Sequence, residues 1–184
     1  MEIKKINKKI FIISGKARHG KNTVSDIIKE YYESKNMKTI NDSYAYYIKD
    51  YARRISNWDG SEETKPRELL QQLGTNLIRE KIDKLFFINR MIEDLKVFSY
   101  FYDIITISDG RFEEELDIIK NKFDNVILIK VDRPNFDNGL TEEQKKHPTE
   151  TSLDNYKKFD YIIENDSTIE KLKEKVKQVL KEVE

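Results

Sequence analysis

Gly15-Lys16-Ala17-Arg18-His19-Gly20-Lys21-Asn22-Thr23 follows an apolar run, Ile10-Phe11-Ile12-Ile13, and leads into a helical pattern that starts near Asn22. Glycines at the first and sixth positions with a lysine at the seventh, set between a strand and a helix, make the phosphate-binding P-loop. The glycines let the main chain curl so that successive N–H groups face phosphate oxygens. The helix that follows adds the positive end of its dipole. Lys21 supplies a mobile point charge for the outer phosphates. The stretch predicts a nucleoside triphosphate site made by Gly15, Lys16, Arg18, His19, Gly20, Lys21, Asn22 and Thr23. His19, at a variable position of the loop, can point to solvent.

Four further strands are expected, at 37–42, 103–107, 125–131 and 160–163, joining the first at 10–14. Several are runs of β-branched residues without alternation, as in strands covered on both faces. Helical patterns lie between them, at 23–34, 45–55, 113–122 and 168–183, with one long helix or two joined helices over 66–98. Pro66 fits a first turn, where a missing N–H costs nothing. The alternation predicts an α/β fold of three α/β/α layers around a roughly five-stranded parallel sheet. The least structured stretch is 132–148, which holds Pro134, Asn135, Asn138, Gly139 and Pro148; a loop of that length in a compact domain is usually functional or disordered.

With 184 residues, the chain reads as one domain over 1–184. Its 34 basic and 34 acidic residues cancel, which argues against a whole-surface footprint for nucleic acid. Lack of cysteine excludes disulfides, thiolate catalysis and Cys-ligated zinc. Lys4, Lys5, Lys8 and Lys9 precede an apolar stretch of only about four residues, far short of a secretory signal. Nothing approaches the roughly 20 apolar residues of a membrane span. A cytoplasmic enzyme without a membrane partner is expected.

Asp109 closes the third strand in Ile107-Ser108-Asp109-Gly110-Arg111-Phe112. A carboxylate at the C-terminal end of a central parallel strand faces the ligand crevice, where it can hold Mg²⁺ through water or contact an acceptor. The plainer alternative is a helix cap at an Asp-Gly turn. Arg111 suits phosphate, since its fork matches phosphate oxygens; the alternative is a surface pair with Glu114 or Glu115. Glu115 could orient it. Arg67, Gln71, Gly74, Thr75 and Arg79 fall in one helical pattern. Gly74 there costs about 1 kcal/mol against alanine, so it marks a break or a close approach by another element. Arg67 and Arg79 flank that point as clamps for a second phosphate, or as solvated arginines. The tyrosines before Lys49 suit base stacking less readily than core packing.

Together these segments resemble the deoxynucleoside monophosphate kinase family. The likeness lies in the Gly-Lys-Asn-Thr loop, Ser43 to Lys49, Arg67 with Leu70 to Thr75 and Arg79, Ser108 to Phe112 with Glu115, Arg133, His147 to Glu150, and Ile162 to Asp166. Two positions depart from the family: Asn22 stands where Asp is usual, and Gly110 where an aliphatic residue is typical. The resemblance implies a P-loop kinase fold with a short lid at about 132–148, and transfer of the ATP γ-phosphoryl group to a (deoxy)nucleoside 5′-monophosphate. It implies ATP and Mg²⁺, catalysis by Lys21, Asp109, Arg111 and Arg133, metal contacts from Thr23 and Asp109, and acceptor contacts from Lys49, Arg67, Gln71, Gly74, Thr75, Arg79, Arg111 and Glu150. Nucleotides are the expected partners, with a homodimer left open. The alternatives are a kinase of another small acceptor such as dephospho-coenzyme A, and a nucleotide-binding regulatory ATPase.

Overall fold

The computed structural model describes residues 8–184, so Lys4 and Lys5 lie outside the described residues. Five strands, β1 (Lys9–Ser14), β2 (Thr39–Asp42), β3 (Ile104–Gly110), β4 (Val126–Asp132) and β5 (Tyr161–Glu164), form one sheet in the order β2-β3-β1-β4-β5. Every pairing is parallel. Alternate residues of the strands face opposite layers. Phe11 and Ile13 of β1, with Ile127, Ile129 and Val131 of β4, pack against α1 (Lys21–Glu33) and α8 (Ile169–Glu182) through Val24, Ile27, Ile28, Leu172 and Val176. Ile10, Ile12, Ile105, Ile107 and Leu128 face the other way, onto α4 (Phe86–Phe98) and α5 (Glu113–Lys122) through Ile88, Met91, Leu95, Leu116 and Ile119. The three-layer parallel architecture is therefore the one the strand pattern predicts, because each central strand is apolar on both sides.

The remaining helices are α2 (Ala45–Ser56), α3 (Arg67–Gln71), α6 (Glu142–Lys146) and α7 (Pro148–Thr151). The expected helical region from Pro66 onward divides into two bodies. Pro66 sits just ahead of α3, which runs on into a π-helical stretch, Gln72–Ile82. That stretch ends where Asp83 turns extended and its N–H reaches back five residues to Ile78 O at 2.9 Å. Segment 132–148 is more ordered than its composition suggests, since it contains α6, whose Thr141 cap exchanges side-chain hydrogen bonds with Gln144.

Strand β3 runs three residues further than expected and carries Asp109 inside it. Against β1, Ile12 pairs with Ile107 but Ser14 pairs with Gly110, so β3 holds one extra residue there. Such a bulge re-aims a side chain at the strand end. Gly110 lies under it. A Cβ at that position would sit 2.7 Å from Ser14 Oγ and 3.0 Å from Ile12 Cγ2, which accounts for glycine here.

Candidate active site

A cavity of about 560 Å³ opens at the C-terminal ends of the central strands, where ligands of open α/β sheets bind. Its walls bring together the P-loop, the start of α2, the face of α3 and the π-helical stretch, the end of β3, and α7. Seven basic side chains line it, Arg18, Lys21, Lys49, Lys65, Arg67, Arg79 and Arg111, against four carboxyl groups, Glu62, Asp109, Glu115 and Glu150. Burial holds the Glu115 carboxyl up to about 8, with Asp109 adding to the rise. A lining with this excess of basic side chains suits an anion.

The loop takes the form its sequence predicts. Gly15 and Gly20 have positive φ, and Gly20 precedes the first residue of α1. Val24 N–H is bonded back to Gly20 O at 3.0 Å. The N–H groups of Lys21, Asn22 and Thr23 precede it and stay outside the helical ladder, at the positive end of the helix dipole. Lys21 Nζ donates to Gly15 O at 2.9 Å and Lys16 O at 2.7 Å. Burial, then the nearby Arg111 guanidinium, brings its pKa down to about 7. Ala17 N–H donates to Glu150 Oε2 at 2.8 Å.

Asp109 lines the cavity and also caps a helix, though not the one that follows it in sequence. Its Oδ1 accepts Tyr44 N–H and its Oδ2 accepts Ala45 N–H, both at 2.9 Å, at the start of α2. The carboxylate thus ties the end of β3 to the helix that brings Ile48 and Lys49 to the cavity. Glu115 acts on Arg111 through the main chain instead of the guanidinium. Its Oε2 accepts Arg111 N–H at 2.8 Å and Phe112 N–H at 3.1 Å, at the start of α5. The Arg111 guanidinium pairs with neither Glu114 nor Glu115. It donates from Nη1 to Glu150 Oε1 at 2.8 Å and to Thr149 O at 3.1 Å. Arg79 lies 3.8 Å over the Phe112 ring and donates from Nη2 to Glu114 Oε2 at 2.7 Å. Gly74 marks a close approach: a Cβ there would stand 2.7 Å from Ile48 Cδ1. Lys49, Arg67, Gln71, Gly74 and Thr75 all reach the same cavity wall.

Four residues expected at the site stand apart from the cavity. His19 is buried, not solvated, and its Nδ1 accepts Arg133 N–H at 3.0 Å. Burial lowers its pKa, which suits a neutral acceptor. The ring ties the loop to the end of β4, because a short side chain on a curled backbone meets the neighbouring strand before it meets water. Lys16 pairs with Asp154 at 3.1 Å on the far side of the loop. Gly15 borders a small cleft there with Lys16. The Arg133 guanidinium lies 3.7 Å over the Phe136 ring. The loop reaches segment 132–148 through a different arginine, since Arg18 Nη1 donates to Asn138 O at 2.9 Å.

Other wall residues carry no motif. Glu62 and Lys65 pair at 2.6 Å in the connection before α3. Tyr44, buried, donates its hydroxyl to Glu115 O at 2.7 Å. The one available signal was Lys65-Pro66-Arg67, two bases around a helix start, where cations are unfavourable unless an anion sits nearby.

Comparison with known proteins places this geometry among kinases. The family described as deoxynucleotide monophosphate kinase matches residues 41–176. A putative deoxynucleotide monophosphate kinase of Acanthamoeba polyphaga mimivirus is 32% identical over 114 residues, which cover 57% of this chain and 55% of the relative. The deoxynucleotide monophosphate kinase of Enterobacteria phage T4 is 32% identical over 116 residues, 62% of this chain and 45% of the relative. The chain spans about half the length of the curated relatives it matches. Among solved structures, an APS kinase of Mycobacterium tuberculosis superposes with a TM-score of 0.56 at 13% identity, over 95% of this chain and 98% of the other. A dephospho-CoA kinase of Campylobacter jejuni does so with a TM-score of 0.52 at 18% identity, over 97% of each chain. These likenesses show the P-loop kinase fold. No helix among the described residues is long and apolar enough to cross a membrane.

Proposed function

The chain belongs to the deoxynucleotide monophosphate kinase family, and from that membership we propose that it transfers the γ-phosphoryl group of ATP to a deoxynucleoside 5′-monophosphate. One observation carries the reading: a single cavity holds both the P-loop and, on the facing wall, a second set of bases that includes Arg67 and Arg79. A site for one nucleotide needs only the first set. Phosphoryl transfer needs two phosphates side by side, because its catalysis is mostly alignment and charge neutralisation.

In this reading the N–H groups of Lys21, Asn22 and Thr23 hold the β-phosphate. Lys21 exchanges the Gly15 and Lys16 carbonyls for β- and γ-oxygens. Arg111 and Arg79 grip the acceptor phosphate, Arg67 and Lys49 add charge near it, and Gln71, Gly74 and Thr75 line the acceptor wall. Asp109 keeps α2, and so that wall, in register with the P-loop. Segment 132–148 serves as the lid that excludes water, with Arg18 and His19 as its present links to the loop and the Arg133 guanidinium brought in as it closes. A divalent ion fits the donor set. No group of three or more His, Cys, Asp or Glu among the described residues could hold a metal alone, but Thr23 and Asp109 share the cavity. Mg²⁺ typically takes one or two protein ligands and completes its shell with phosphates and water. Bound there, Mg²⁺ would neutralise charge between the β- and γ-phosphates. We place the reaction in the cytoplasm, where its substrates are.

Incubation with Mg·ATP and a panel of nucleoside monophosphates, with dephospho-coenzyme A as the control acceptor, tests the proposal. A deoxynucleoside diphosphate is the expected product. Phosphorylation of the control alone would reassign the acceptor, and ATP hydrolysis with no phosphorylated acceptor would point to a regulatory ATPase.

A further inference from the structure

The Glu150 carboxylate joins the two halves of the site. Oε2 takes the Ala17 N–H of the P-loop at 2.8 Å, and Oε1 takes Arg111 Nη1 at 2.8 Å. Its side chain is 7% exposed, and these two donors, with the Lys21 side chain nearby, compensate its removal from water. A main-chain N–H of a P-loop and an arginine fork are also the two kinds of donor a phosphate oxygen seeks. Glu150 therefore holds, with one carboxylate, a donor belonging to each phosphate subsite.

The element that carries it is lightly anchored. Apart from the enclosed Glu150 side chain, the four-residue α7 has no buried residue and neither has the five-residue α6 before it, the nearest core contacts being Leu153 and Tyr156 beyond the helix. His147 caps α7, with Thr149 N–H donating to its Nδ1 at 3.3 Å. Towards the sheet, Thr149 O and Glu150 Oε1 both lean on the same Arg111 guanidinium. A segment with few buried contacts opens at little free-energy cost.

We propose that Glu150 is a positioning residue that couples the donor and acceptor sites. A polyphosphate on the P-loop brings negative charge beside Ala17 and repels the Glu150 carboxylate. As the carboxylate leaves, the Arg111 guanidinium is released to the acceptor phosphate. Without a donor, the acceptor must first break the Arg111–Glu150 pair, so it binds more weakly. Binding is then mutually reinforcing, and by linkage each ligand tightens the other by the same factor. Such coupling also limits futile binding of an acceptor ahead of its donor. The inference rests on the kinase reading for the identity of the acceptor, but not for the competition at Ala17.

The experiment measures the Kd of a deoxynucleoside monophosphate with and without Mg·AMPPNP, and the Kd of Mg·AMPPNP alone, in the wild-type chain and in Glu150→Gln and Glu150→Ala. In the wild type the donor analogue should tighten the monophosphate about tenfold, within the usual range of coupling between sites. In both variants that factor should fall towards one, because the monophosphate alone binds more tightly while its affinity beside the donor is unchanged. Mg·AMPPNP alone should also bind both variants more tightly. If Glu150→Ala fails to fold, Glu150→Gln decides, since it keeps the size of the side chain and removes the charge. A coupling factor in Glu150→Gln equal to the wild type would overturn the proposal, as would weaker Mg·AMPPNP binding. Tighter Mg·AMPPNP in the variants, with no monophosphate bound by any form, would sustain the competition at Ala17 and remove the acceptor assignment instead.

Discussion

The P-loop and the wall formed by α3 and the π-helical stretch face each other across one cavity, yet they are built by different means. The loop presents main-chain N–H groups, and its shape follows from two glycines and a helix start within nine residues. The wall presents side chains, and its shape follows from what packs behind it: α2 at Gly74, and Glu114 and Phe112 at Arg79. Main-chain geometry is local and intolerant of change. A side-chain wall is assembled from distant segments and can be altered piece by piece. An enzyme that keeps one donor and adapts to different acceptors would be expected to divide its site in this way.

The largest expected effect sits at the loop. Lys21→Ala should lower kcat/KM roughly 10³-fold, the scale of losing a group that stabilises transition-state charge. Its Tm should not fall, because burial already penalises the ammonium. Retained turnover would break the donor assignment. Next comes Gly15→Ala. Its φ of 145° is poor for any residue with a Cβ, and the new methyl would run into the Val131 carbonyl oxygen. The variant should lose about 3 kcal/mol, read as a Tm drop of roughly 6–12 °C by calorimetry.

At the wall, Arg79→Ala should raise the acceptor KM tenfold or more while ATP binding holds, in line with loss of a charge-assisted pair. A change in Tm alone would return Arg79 to a purely structural pairing with Glu114. Gly74→Ala is the counterpart of Gly15→Ala. The methyl meets only the flexible tip of Ile48, and alanine favours helix by about 1 kcal/mol. Stability should shift by less than about 1 kcal/mol, while the acceptor KM rises because Ile48 is pushed towards the cavity it lines. Equal destabilisation by the two substitutions would erase the contrast between loop and wall.

The smallest effect is a proton. Lys21 titrates near 7 in the fold and at 10.5 when unperturbed, so at pH 8.5 the folded chain carries it mostly neutral. A bound polyphosphate restores the ammonium, and Mg·AMPPNP binding should take up close to one proton there. Calorimetry in buffers of different ionisation heat would read it, and Lys21→Ala should abolish it. Because the folded pKa is the lower one, the unfolded chain holds more protons between about pH 7 and 10.5, and stability rises with pH across that window. Lys21→Ala should lack that rise.

The layers and the P-loop were legible because the pattern that makes each strand, helix and turn is local, and the alternation of strand with helix implies parallel pairing, although the pairs themselves join residues as far apart as Lys9 and Ile104. Five segments, the polar 37–42 the weakest of them, read as strands, and the described residues form five. Arg67, Gln71, Gly74, Thr75 and Arg79 were legible as one helical run, but the sequence left Arg67 and Arg79 open between phosphate clamps and solvated arginines, and it did not show the π-helical stretch from Gln72. What escaped were partners across long separations. Asp109 caps α2, 64 residues back. Glu150 reaches Ala17 across 133 residues. His19 turns inward because the end of β4 lies behind the loop. The β3 bulge beside Asp109 had one marker in sequence, Gly110, since a glycine in a strand often sits at a bulge.

The chain's own order of residues determined where the P-loop forms, because a curl of backbone needs only glycines in the right places and a helix beginning after them. It also determined that the central strands are buried on both faces. Which basic side chains meet across the cavity, which carboxylate holds Arg111, and which predicted ligands turn away were decided only when the strands took their order and α7 settled over the loop. Charge acts through space, and sequence does not record distances in space.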